Sequence, residues 1–173
     1  MMNRSLIDQW FLKREEVILR RLTHYTSLDF LYTLNHCHNW RPLSERSRDW
    51  FNQAKRDLEN AKYEFDGGFF DFSCFLSQQA ADMALKSLYQ RMSVEAFGHS
   101  ITGLIQRFPL TDNFDEKLLD EAKELDKAYI STRYPDSIPE GSPFMIYSAE
   151  EARRLMIYAG HILKRSEDIL SKI

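Results

Sequence analysis

The sequence predicts an all-α protein, an antiparallel helical bundle of about five helices behind a helical N-terminal extension. Three observations predict it. Apolar residues recur at three- and four-residue spacing through most of the 173 residues. No Val/Ile/Thr-rich segment alternates as a strand would, and there is no internal repeat or low-complexity tract. The breaks between the periodic stretches are marked by Gly, Pro and capping residues.

In chain order, "RSLIDQWFLKREEVILRRL" (4–22) places Leu6, Ile7, Trp10, Phe11, Val17, Ile18 and Leu22 near helical spacing with charges between them, which predicts an amphipathic helix. "SLDFLYTLNHC" predicts a shorter one with Ser27 as N-cap. Pro42 lacks a backbone donor and biases Arg41 away from helix, so an extension over 1–42 gives way to a bundle over 43–173.

The bundle's first helix starts around Ser44 to Ser47, carries Trp50, Phe51, Ala54, Leu58, Ala61 and Phe65 on one side, and stops at Gly67-Gly68. "CFLSQQAADMALKSLYQR" (74–91) lies in the second, with Phe75, Leu76, Ala80, Met83, Ala84 and Leu88 in register and two glutamines, Gln78 and Gln79, among them. One glutamine is expected to bond a neighbouring helix or loop from inside the bundle while the other meets water.

After Gly98, "HSITGLIQRF" predicts a short helix stopped near Pro109, and "FDEKLLDEAKELDKAYISTR" a longer one entered through Thr111 or Asp112. "YPDSIPEGSP" cannot continue it, because Pro135, Pro139, Gly141 and Pro143 crowd together; a connection this long is often functional. Ser148 with Glu151 forms a capping-box pattern before the last helix, which turns Ala152, Leu155, Met156, Ala159, Ile162, Leu163 and Ile169 inward.

Composition excludes some classes. With 43% hydrophobic and 28% charged residues the chain is an ordinary globular protein whose folding needs no cofactor. A net charge of −3 provides no footprint for bulk DNA binding. Residues 1–41 hold six basic and four acidic side chains and the rest seventeen and twenty-two, so the bundle is mildly acidic. Cys37 and Cys74 lie far apart with no C-x-x-C spacing, which argues against a disulfide framework or zinc knuckle and for a reducing compartment. The sequence "MMNRSLIDQWFLKREEV" has no signal-peptide core and no segment is long and apolar enough to span a bilayer, so the expected location is the cytoplasm, with no membrane partner.

Four phrases then fall in order: "WFNQAKRDLENAKYEF", "CFLSQQAADMALKSLY", "GHSI", and "LDKAYISTRYPD" before a Pro-rich loop. Together they resemble the HEPN domain family over roughly residues 47–169. The resemblance implies a bundle of about five helices, often dimeric, found in prokaryotic proteins encoded beside minimal nucleotidyltransferases. It also implies either nucleotide binding or metal-independent, toxin-type RNA cleavage by an Arg-x4-6-His motif. Arg133 looks like the Arg of that motif, but Ile138, Pro139 and Glu140 stand where its His should follow. Arg154 and His161 fit the loose spacing, within the last helix rather than after the preceding one.

Asp126, Tyr129 and Arg133 sit at i, i+3 and i+7 and can share a helix face. Arg133 can pair with a phosphate or carboxylate, and Tyr129 or Tyr134 can stack on a base. Alternatively Arg133 pairs with Asp136 or Asp126 and caps helix carbonyls, pinning the loop. His99 can carry a proton at neutral pH, or simply hold a loop. Lys86 is a phosphate contact or a solvated lysine. "HCH" at 36–38, with His24, is a weak metal signal, and no metal is expected.

The reading is a non-catalytic nucleotide- or RNA-related binding module, a homodimer, with a nucleotidyltransferase as possible partner. Arg133, Tyr129, Tyr134, Asp126, Asp136, His99 and Lys86 are its ligand-binding candidates. The alternatives are a metal-independent RNase, with Arg133, His99, Arg154 and His161 as catalytic candidates, and a pure interaction module.

Overall fold

The computed structural model describes residues 46–173. They form α1 (Ser47–Asp66), α2 (Phe70–Arg91), α3 (Ile101–Arg107), α4 (Glu116–Ser131), α5 (Pro143–Ile146) and α6 (Ala149–Leu170), with 3₁₀ turns at Thr111–Asn113 and Pro135–Ser137. No strand occurs among the described residues, none of their helices is long and apolar enough to cross a membrane, and none of their side chains cluster as a metal site. The predicted helices at 4–22 and from Ser27, the boundary at residue 42 and the "HCH" stretch lie outside the described residues.

Helix α2 is the axis of the bundle, packed by α1 on one side and α6 on the other, with α3 and α4 closing over it. It serves this role because it buries residues all round: Ser73, Cys74, Ser77, Ala80, Ala81, Ala84 and Ser87 are small enough for neighbouring helices to approach. Ser77 and Ser87 return their hydroxyls to their own helix, on the carbonyls of Ser73 (2.8 Å) and Ala84 (2.5 Å). Leu85, Leu88, Ile101, Leu104, Ile105, Leu125 and Ile162 are fully buried in the main core. A smaller cluster of Phe51, Ala54, Ala80, Ala84 and Leu163 seals α1 to α2 and α6.

The helix ends follow local chemistry. Gly68, at φ +82°, takes the left-handed conformation that turns α1 into α2. Gly98, at φ +81°, turns the chain so that α3 starts beside α2 and α4. Ser148 and Glu151 form the full capping box at α6. The entry to α4 differs from expectation: Thr111–Asn113 make a 3₁₀ turn, and the N-cap is Asp115, accepting from the Leu118 N–H at 2.9 Å. Phe114, buried between them, forces the interruption. The Pro-rich segment also holds one helical turn, α5, started by Pro143 at a position where proline's missing N–H costs nothing.

Candidate functional site

The site is assembled where the C-terminal half of α4 meets the middle of α2 and the start of α3. "STRY" at 131–134 explains how α4 ends. Ser131 Oγ donates to the Lys127 carbonyl (2.5 Å), Thr132 Oγ1 to Ala128 (2.6 Å), and Arg133 Nε and Nη2 to Tyr129 (3.2 and 2.9 Å); the Arg133 and Tyr134 amides meet Ile130 O. Carbonyls that a helix end would leave orphaned are thus satisfied in sequence. Arg133 is held at the same time against three rings, its guanidinium carbon 4.4 Å from the centroid of Phe75, 4.9 Å from Tyr129 and 5.0 Å from Tyr134. It makes no ion pair among the described residues, and its Nη1 group donates to none of them.

Tyr129 also stacks on His99, ring centroids 4.8 Å apart at 18°. His99 is fixed from behind: Gln78 Nε2 donates to its carbonyl (2.9 Å), and Gln79 in turn donates to Gln78 Oε1 (2.6 Å). The two glutamines therefore work as a pair, the inner one buried. Lys86 Nζ lies 2.7 Å from Asp82 Oδ2 and 3.3 Å from His99 Nδ1. The same Nδ1 lies 3.5 Å from Asp82 Oδ2, so it can accept from the Lys86 ammonium or, when it carries a proton, face the carboxylate. His99 is 47% exposed and Asp82 2%, so a buried acid and a half-exposed imidazole share one lysine.

Burial pushes the Asp82 carboxyl up from its ordinary range, and hydrogen bonding and charge from Lys86 pull it back. Asp82 Oδ1 is buried without a partner.

Asp126 faces a different task from the one its spacing suggested. It accepts from Ser100 Oγ (2.8 Å) and from the backbone N–H groups of Ile101 (2.5 Å) and Thr102 (3.2 Å), capping α3 from outside. Neither Asp126 nor Asp136 pairs with Arg133; of that alternative only the carbonyl capping is observed. Asp136 is exposed and makes no hydrogen bond or ion pair among the described residues. Lys86, His99, Tyr129, Arg133 and Tyr134 are thus brought together, with Asp126 behind them through Ser100.

Arg154 and His161 lie elsewhere. Along α4 and α6 runs an open groove of about 680 Å³ lined by Lys117, Asp120, Glu121, Lys123, Tyr158 and His161 among others, and by none of the cluster above. In it Glu121, 6% exposed, accepts from His161 Nδ1 at 3.0 and 2.9 Å. A carboxylate only accepts, so Nδ1 holds a proton and donates it to Glu121. Asp82, Phe75 and Glu121 were missed by sequence reasoning. Asp82 was findable from its i, i+4 spacing to Lys86; Glu121 and His161, 40 residues apart, give no local signal.

An all-helical bundle with a polar cluster at the end of its fourth helix defines the class. The HEPN domain family model matches residues 47–169, and the chain belongs to that family. Three solved structures are similar to it: TT1696 from Thermus thermophilus (40% identity, TM-score 0.69, 71% of this chain and 97% of that one); ST0689, an archaeal HEPN homologue (39%, 0.62, 72% and 98%); and the HEPN domain protein tm0613 from Thermotoga maritima (41%, 0.57, 72% and 99%). No curated protein matches.

Proposed function

We propose that the protein is a nucleotide- or RNA-binding module whose ligand lies over Lys86, His99, Tyr129, Arg133 and Tyr134. The observation that carries this reading is the guanidinium of Arg133, framed by three aromatic rings and lacking any carboxylate partner among the described residues. The half-exposed His99 ring stacked on Tyr129 supports it, and Tyr134, 51% exposed, offers a face for a base. Hydrogen-bond donors and aromatic faces bind a phosphate and a base without turning either over. Exposed Phe144 and Met145 support a protein interface beside the loop, for a second copy or a nucleotidyltransferase.

The test is fluorescence anisotropy of labelled AMP and of a short single-stranded RNA with wild type, Arg133→Gln and Lys86→Gln. Saturable binding weakened at least about tenfold by Arg133→Gln is expected, one bidentate charged contact being of that size. No binding of either probe to the wild type sinks the proposal.

A second reading, the metal-independent ribonuclease, is favoured by the Glu121–His161 pair. A carboxylate-oriented imidazole suits a general base for a ribose hydroxyl, because its neutral form leaves Nε2 to take the proton. Cleavage of end-labelled RNA in EDTA that disappears in His161→Ala would establish it; intact RNA beside an active control removes it.

A further inference from the structure

We propose a second, independent binding site: the cleft between α4, α5 and α6 takes a small molecule bearing an oxyanion on an apolar body, with Arg154 as its anchor. The cleft encloses about 220 Å³ and is lined by Glu124, Lys127, Ala128, Ile146, Tyr147, Glu151, Arg154 and Leu155. It lies below the range of roughly 300–1,000 Å³ that houses drug-sized ligands, so the occupant is small.

Arg154 is the reason to expect an occupant. It is half-buried, yet among the described residues it makes no hydrogen bond, ion pair or ring contact. A partly desolvated guanidinium with five unused donors is costly unless something meets it. Neither neighbouring carboxylate pairs with it, each being engaged elsewhere through one oxygen. Glu151 Oε2 accepts from the Ser148 amide (3.1 Å) and hydroxyl (2.9 Å) in the capping box. Glu124 Oε1 accepts from Lys127 Nζ at 2.5 Å.

Tyr147 defines where the anion does not sit. The Ser131 hydroxyl has one proton and gives it to the Lys127 carbonyl, so the Tyr147 hydroxyl, 2.5 Å away, must donate to Ser131 Oγ. Only its oxygen lone pairs then face outward, and those repel an oxyanion. The anion is left to the planar fork of Arg154, which matches a carboxylate or a phosphate edge. The wall of Ile146, Leu155 and Ala128 is left for carbon. None of the Arg133 cluster lines this cleft, and neither does His161, so the site stands apart from both readings above.

Full-length ¹⁵N-labelled protein titrated with inorganic phosphate and, separately, isobutyrate tests this, followed through the Arg154 Nε–Hε resonance assigned with Arg154→Lys and, in every variant, through the backbone amides of Ile146, Tyr147 and Leu155 in the cleft wall. The expected result is a saturable shift with at least one probe, weakened about tenfold or more in Arg154→Gln and unchanged in Arg133→Gln. Which probe saturates identifies the headgroup as carboxylate or phosphate. No saturable movement of the Arg154 resonance in the wild type overturns the proposal, and this readout does not depend on any variant folding. Binding equally tight in Arg154→Gln overturns it as well.

Discussion

The imidazole of His99 lies on the phenol ring of Tyr129, centroids 4.8 Å apart and 18° from parallel, so that the start of α3 and the end of α4 meet through two rings. Such a pair contributes about 0.5–1.5 kcal/mol beyond its buried area. Tyr129→Leu is expected to lose that much in urea denaturation and to move the His99 ring protons downfield as the ring current disappears. Tyr129→Phe keeps both. An unshifted His99 in Tyr129→Leu would show that the rings do not stack in solution.

Arg133 has a structural duty as well as a proposed binding one. Arg133→Ala removes two hydrogen bonds to Tyr129 O and three ring contacts, and about 1–3 kcal/mol of stability is expected to go with them. Arg133→Lys recovers only part, because an ammonium lacks the planar fork. Equal stability of all three proteins in denaturant titration contradicts this.

Asp126 holds the first amides of α3. Asp126→Ala is expected to cost about 1–3 kcal/mol, because the Ile101 and Thr102 donors lose a charged acceptor. Hydrogen exchange of those two amides accelerates while amides in the middle of α2 slow or quicken only with global stability. Asp126→Asn, which keeps one carbonyl oxygen, falls between.

Burial pushes the Cys74 thiol up from 9.0 to about 12, with Glu151 and Asp71 adding to the shift and Arg154 opposing it. For an acid whose folded value is raised, stability is whole below the unfolded value and declines as pH climbs toward the folded one. The contribution of Cys74 is therefore lost between about pH 9 and pH 12, and Cys74→Ala shows a shallower decline across that window. At about pH 8 the thiol resists iodoacetamide until the protein is unfolded.

Leu85 is fully buried at the heart of the main core, so Leu85→Ala is expected to cost about 2–5 kcal/mol, read as a lowered thermal midpoint.

The helices were legible in the sequence because their ends are local events. Gly68, the Ser148–Glu151 box and the apolar spacing of α1 and α6 each act within one or two turns. The entry to α4 was not, since Thr111, Asp112 and Asp115 are all good caps and only the burial of Phe114 chooses between them. Within the site, spacing grouped Asp126 with Tyr129 and Arg133, and two of the three stayed together. Asp126 left because α3 packs across α4 and presents bare amides to it, a fact of tertiary geometry. The same holds for Gln78 on the His99 carbonyl and for Glu121 on His161.

The self-sufficient ending of α4 has a consequence for how this molecule can vary. Ser131, Thr132, Arg133 and Tyr134 close the helix with their own atoms, so nothing downstream is required as a stopper. Residues 136–141, mostly exposed and short of the turn that Pro143 starts, are thereby relieved of architectural work. Insertions, deletions and substitutions there can reshape the rim above the bundle while the frame beneath keeps its alignment, which makes this stretch the natural place for specificity to diverge.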